Sequence, residues 1–266
     1  MAVIALTSAS GAPGVTTSAL AIALAWPRPT LLLEADPTGG SAILAGWFQG
    51  SASHDRGLIN LAMAHRHGDL VDALRDVTIR IPDSTVDLVA GIRSHAQAAT
   101  VTPIWASLAT ALKAMERIGT DVIVDAGRLG MVGAPMPLLR QADVVLLTTR
   151  STMPAVSGAR SWAKTLHEDF TSLGAAENLG LLVVGQGNRY SAREIGGVLK
   201  LPVVSCLAWD PVSAEVFHLG QTPRKGFDDS SLTRSVRAAV STIQAMVATN
   251  RSRLAHGNLV NAQEGI

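Results

Sequence analysis

The chain of 266 residues is poor in charge: Asp, Glu, Lys and Arg make up 16% of it, against roughly 25% in an average soluble domain. Low charge together with 47% hydrophobic residues excludes disorder over most of the length, because such a chain has enough apolar surface to build a core. There is one cysteine, Cys206, which excludes an internal disulfide and a Cys-rich metal site and makes a reducing compartment the expectation. Basic excess is missing too: 22 Lys and Arg face 21 Asp and Glu, for a formal net charge of +1. That balance gives no support to a nucleic-acid partner, although a local patch would escape it. Mean hydropathy is +0.27, yet no apolar run approaches the roughly 18 residues a spanning helix needs. No basic residue precedes Arg28, so the charged start of a signal peptide is absent. The expectation is a cytoplasmic globular protein.

Lysine is scarce. Only Lys113, Lys164, Lys200 and Lys225 occur, all far along the chain from the N-terminal loop discussed below, and the other eighteen basic residues are arginines. That bias fits a GC-rich genome better than a chemical role.

What is present is an alternation of short apolar runs with helical patterns. Strands are expected at Val3–Thr7, Thr30–Glu34, Val86–Val89, Asp121–Val124, Val144–Thr148, Leu181–Val184 and Val203–Cys206. They are near-continuous hydrophobic runs, as parallel strands covered on both faces require. Helical patterns between them include Thr16–Ala25, Pro103–Arg117, Pro154–Leu166 and Ser191–Leu199. The reading is a single α/β domain over residues 1–249, a mostly parallel sheet with helices on both faces. Leu232, Val236, Ala239, Val240, Ile243 and Val247 form one apolar stripe of a closing helix, expected to dock on the sheet and not on a membrane. Residues 250–266 are expected to be a flexible tail. Ser51–Arg56 and Gly91–Thr102 are weakly patterned, and no repeat or linker divides the chain.

The most informative segment is Gly11-Ala12-Pro13-Gly14-Val15-Thr16-Thr17, which follows the first strand and opens the first helix. Such a loop aims backbone N–H groups and a helix N-terminus at one point, where an anion would sit. A dinucleotide loop needs G-x-G-x-x-G and a P-loop ends in G-K-[ST]; Gly14-Val15-Thr16 departs from the second only at the lysine. Further on, Glu34-Ala-Asp36-Pro ends the second strand with two carboxylates, and Asp125-Ala-Gly127 places an acid at the end of a buried strand. In an open parallel sheet that end is where ligands bind, and an acid there commonly holds Mg²⁺ directly or through water. Capping of a following helix is the alternative for Asp125.

Taken in order, these segments resemble the MinD/ParA family of deviant Walker-A ATPases. The family loop reads K-G-G-x-G-K-T-T, and residues 10–17 lie over it. Glu34-Ala-Asp36-Pro is similar to the family's D-x-D-P, whose second acid is associated with the attacking water. Asp125-Ala-Gly127 is similar to the Walker-B acid and the start of switch II. Asn188 follows a strand where the family often has an adenine-contacting Asn, and Trp209-Asp210-Pro211 resembles the late segment that passes the adenine. The resemblance implies ATP or ADP with Mg²⁺, held through Thr16 and Asp125, and a homodimer. It implies a protein partner more than DNA or membrane, since no dense basic cluster or basic closing helix is visible.

Both family lysines are missing. Ser10 stands for the signature lysine that reaches across the dimer, and Val15 for the lysine that clasps the β- and γ-phosphates. Without that cation the transition state loses charge stabilisation. Arg128, Arg150 and Arg189 each follow a strand and are candidate substitutes, Arg150 first because its strand is expected beside the P-loop strand. Three readings stay open: a nucleotide-binding scaffold or positioning factor with little or no hydrolysis, like divergent CpaE- and TadZ-type members; an active ATPase using a substitute cation; and a nucleotide-free scaffold. His65, His67 and Asp69 are read as a solvated helix end, not a metal site. Trp47, Trp105, Trp162 and Trp209 are read as core or interface anchors.

Overall fold

The computed structural model describes residues 2–68, 70–115, 119–187 and 189–263. Eight strands are found among them: β1 (Val3–Ser8), β2 (Thr30–Glu34), β3 (Thr78–Arg80), β4 (Val86–Val89), β5 (Asp121–Arg128), β6 (Val144–Arg150), β7 (Leu179–Val184) and β8 (Val203–Leu207). They form one sheet in the order β3-β4-β2-β5-β1-β6-β7-β8, parallel throughout except for β3, which runs antiparallel to β4. Seven of these runs are those expected from the sequence. The short β3 was missed because Thr-Ile-Arg on a sheet edge is only partly buried and leaves no apolar run to read.

The helices are α1 (Val15–Ala25), α2 (Ala42–Ala45), α3 (Leu58–His65), α4 (Leu70–Asp76), α5 (Ala98–Val101), α6 (Trp105–Ala114), α7 (Met136–Gln141), α8 (Met153–Ser172), α9 (Ala192–Leu199), α10 (Pro211–Leu219) and α11 (Ser231–Gln263). Side-chain alternation along each strand divides the apolar residues between two layers. Val3, Ala5, Leu31, Leu33, Val122 and Val124 meet α3 to α9 on one face. Ile4, Leu6, Leu32, Ile123, Val144 and Leu146 meet α1, α2, α10 and α11 on the other. The stripe from Leu232 to Val247 docks on this second face, all six of its residues being buried.

One expectation about an element's bounds is corrected. The pattern Pro103–Arg117 begins as a 3₁₀ turn, Thr102–Ile104, and becomes α6 only at Trp105; residues 116–118 lie outside the described residues. Helix α11 runs on to Gln263, and Asn250 is buried, with its amide donating to the Asn178 side chain at 3.0 Å.

The central strands fix where chemistry can occur. β1 lies between β5 and β6 with Leu6 opposite Asp125 and Ser8 opposite Thr148. Glu34 is also paired with Asp125. The loop after β1, both acids and Arg150 therefore share the carboxyl end of the sheet.

Candidate functional site

Residues 9–14 turn sharply between β1 and α1. Gly11 (φ 74°), Ala12 (φ 43°) and Gly14 (φ 99°) all adopt left-handed backbone, a cost that falls on Ala12 because it alone of the three has a Cβ. Helix α1 starts at Val15 with no side-chain cap and no acid in its first turn. Its N-terminal donors and the positive end of its dipole face the loop, which favours an anion there. Pro13 has no N–H and can line such a cradle without donating to it.

A cavity of about 690 Å³ opens at this end of the sheet, within the size range of small-ligand sites. Ala12, Pro13, Gly14, Val15, Thr16 and Thr17 form its floor. Asp36, Thr38, Gly127 and Arg128 stand on one side, and Arg150, Trp209, Asp210 and Pro211 on the other. Val184, Leu207, Ala214 and Leu232 give the far wall its apolar character. Leu207 opens the segment that the sequence resemblance sets near the adenine; Val184, Ala214 and Leu232 were not read as site residues, because they come from three elements and have no motif in common.

The Thr16 hydroxyl donates to Asp125 Oδ2 at 2.5 Å. Asp125 is 1% exposed and also accepts from the Gly127 N–H at 3.0 Å. Burial pushes its pKa up to about 7, against the bonds from Thr16 and Gly127, and the nearby Glu34 and Asp36 carboxylates push the same way. Glu34 is buried as well, and burial raises its pKa although the Ser41 hydroxyl and the N–H groups of Ile43 and Gly91 donate to it. The Thr16 hydroxyl and the Asp125 carboxylate thus lie together, with the Glu34 and Asp36 carboxylates near them at the carboxyl ends of β2 and β5. Asp36 Oδ1 accepts from both the N–H and the hydroxyl of Thr38 at 2.8 Å, and its carboxyl packs against Gly127, where a Cβ would overlap it. Glu34 serves as an anchor for the start of α2, a role its sequence position did not disclose.

The remaining expectations sort by position. Val15 is 7% exposed and packs into the α1 layer while lining the cavity. Asp210 caps α10, accepting from the Ser213 N–H at 3.1 Å. Arg150 donates from Nη2 to the Ala12 carbonyl at 3.0 Å; Arg128 lines the cavity, and Arg189 is not among its lining residues. Asn188 and Asp69 lie outside the described residues. Trp105 is a buried anchor and Trp47 stacks near Phe217, whereas Trp209 is 49% exposed and lies outside the core. It stands at the cavity rim because the chain leaves β8 there before α10 begins. Among the described residues no group of three His, Cys, Asp or Glu has a geometry that could hold a metal ion, and no helix is long and apolar enough to cross a membrane.

No protein-family description and no curated protein matches the sequence. Solved structures do match the fold. A ParA family ATPase from Chlorobium tepidum TLS superimposes with a TM-score of 0.72 at 16% identity, covering 90% of this chain and 98% of its own. MinD from Pyrococcus horikoshii OT3, complexed with Mg-ADP, gives 0.70 at 16% identity, with coverages of 94% and 98%. An ATP complex of a Cyanothece McdA variant gives 0.64 at 16% identity, with coverages of 91% and 96%. The chain has the MinD/ParA form of the P-loop NTPase fold.

Proposed function

We propose that this chain is a nucleotide-binding regulator or positioning factor of MinD/ParA type that hydrolyses ATP weakly or not at all. The observation that carries the reading is the Thr16–Asp125 pair beneath an uncapped helix N-terminus, opening on a cavity large enough for a nucleotide. Phosphates would rest on the N–H groups of the loop, while the rim at Trp209, Asp210 and Pro211 and the apolar wall would take the base and sugar. Thr16 and Asp125, the latter through water, would hold Mg²⁺, which when bound supplies charge neutralisation for the phosphates. Asp36, held by Thr38 and pressed on Gly127, would orient a water. Val15 puts an apolar side chain where the phosphoryl group needs a cation, and this supports weak turnover.

A second reading, an active ATPase with a substitute cation, gains support from one contact: Arg150 reaches the loop at Ala12. In either case a cytoplasmic homodimer acting on a protein partner is the form we propose. Exposed Val132, Met153, Trp209 and Val212 all follow carboxyl ends of parallel strands, so apolar surface surrounds the site.

Binding of labelled ATP with and without Mg²⁺, followed by steady-state turnover, tests the proposal. We expect binding that Mg²⁺ strengthens and Thr16→Ala weakens about tenfold, roughly the value of one charged hydrogen-bonding contact. Ready turnover would favour the second reading. Absence of binding to the folded protein would leave a nucleotide-free scaffold.

A further inference from the structure

We infer that Trp209 positions Arg150 as the polyphosphate-clasping cation of this site, an inference that rests on the nucleotide-site reading above. Arg150 is the last residue of β6, two residues past Thr148, which pairs with Ser8 at the entrance to the loop. By strand alternation it follows Val144, Leu146 and Thr148 on the face that carries α1. Its guanidinium is held on two sides. Nη2 donates to the Ala12 carbonyl at 3.0 Å, and the guanidinium carbon lies 4.8 Å from the ring centroid of Trp209. The indole face restricts the long side chain to one plane, aimed across the loop.

The hold is incomplete in an informative way. Among the described residues, the buried side-chain polar atoms without a hydrogen-bond partner are Thr148 Oγ1 and Arg150 Nε. They lie on one strand, two residues apart, beside the loop. Buried polar atoms are seldom left unpaired, so two together mark a place where an acceptor belongs. The Nε and Nη edge of a guanidinium is a fork matched to two oxygens of one phosphoryl group. Arg128 also lines the cavity, but of the two arginines it is Arg150 that bonds to the loop. A lysine at 150 would keep the charge and lose both the flat stack on Trp209 and the fork.

The test is titration of MgATP, and separately of inorganic tripolyphosphate, into wild type, Arg150→Lys, Trp209→Leu, Trp209→Phe and the Arg150→Lys/Trp209→Leu double variant. Thermal melts would accompany each to verify folding, which the half-exposed Trp209 does not govern. We expect Arg150→Lys to weaken both probes about tenfold or more and Trp209→Leu roughly three- to tenfold. Trp209→Phe, which keeps an aromatic face, should recover most of the loss, and the double variant should be little worse than Arg150→Lys alone. ATP binding that Arg150→Lys and Trp209→Leu leave at the wild-type level would overturn this inference while the nucleotide reading stands. So would effects of the two residues that simply add. Tripolyphosphate binding that needs both residues, with no binding of ATP, would sustain the clasp and overturn the nucleotide reading. Failure of folded wild type to bind either probe would overturn both.

Discussion

Ser10 packs against Gly158 of α8 so closely that a Cβ at position 158 would overlap the Ser10 hydroxyl. Ser10, which the sequence resemblance sets over the signature lysine, is therefore turned inward, onto a helix of its own chain. Gly158 sits inside α8, where alanine would normally gain about 1 kcal/mol in helix propensity. We expect Gly158→Ala to lose that gain to overlap and to shift the loop, lowering stability by about 1 kcal/mol. In a Ser10→Ala background the same change should stabilise. Thermal or denaturant melts of the four proteins check this, and equal effects in both backgrounds would show that the loop yields freely.

Val15, which the sequence resemblance sets over the phosphate-clasping lysine, is buried at the first turn of α1. Val15→Lys should strengthen MgATP binding, because its stem can carry an ammonium to the phosphates from an already formed turn. The free protein should lose about 1–2 kcal/mol, since a cation then faces the positive helix end without its ligand. Turnover should recover less than affinity. The double variant with Ser10→Lys should exceed either single change in turnover once that lysine leaves the Gly158 contact. Labelled-ATP binding and melts with and without nucleotide measure both effects; loss of all nucleotide binding in folded Val15→Lys would contradict the expectation.

The buried acids give metal-free protein a definite pH dependence. Asp125 binds its proton up to about pH 7 in the folded state, whereas the unfolded chain releases it in the ordinary carboxylate range. Between those values the folded state holds the extra proton, so stability falls as pH rises from about 4 to 7, by at most about 4 kcal/mol. Glu34, raised by burial, acts with the same sign. Melting temperatures in EDTA across this range should therefore decline, and Asp125→Asn should flatten the curve. A melting temperature that rises over the same interval would mean that Asp125 is ionised in the fold at low pH.

Gly127 has φ 60° and faces the Asp36 carboxyl across less than a side chain's width. Gly127→Ala combines left-handed strain with overlap and should cost about 1–3 kcal/mol. It should also displace Asp36, lowering whatever turnover the wild type shows while affecting nucleotide affinity less. Affinity falling as steeply as turnover would argue that the loop, and not Asp36, has moved.

The sequence by itself determined the layered sheet, because uninterrupted runs such as Val144–Thr148 can be satisfied only between two helical layers. It also marked the loop at 11–17, whose glycines and threonines fall within seven residues, and the acids at 36 and 125, which follow apolar runs. Tertiary structure alone decided what those residues touch. Sequence spacing could not show that Thr16 bonds Asp125 across 109 positions, that Arg150 reaches Ala12 across 138, or that Trp209 leaves the core to lie over that arginine. Strand order sets these contacts, and strand order comes from how the layers pack. The same holds beyond the last apolar stripe residue, where a polar segment reads as a tail and spacing could not show that α11 runs on through Asn250, bonded to Asn178 on another element. Local pattern fixes which segments become strands and helices; burial and long-range hydrogen bonds decide which of their ends meet.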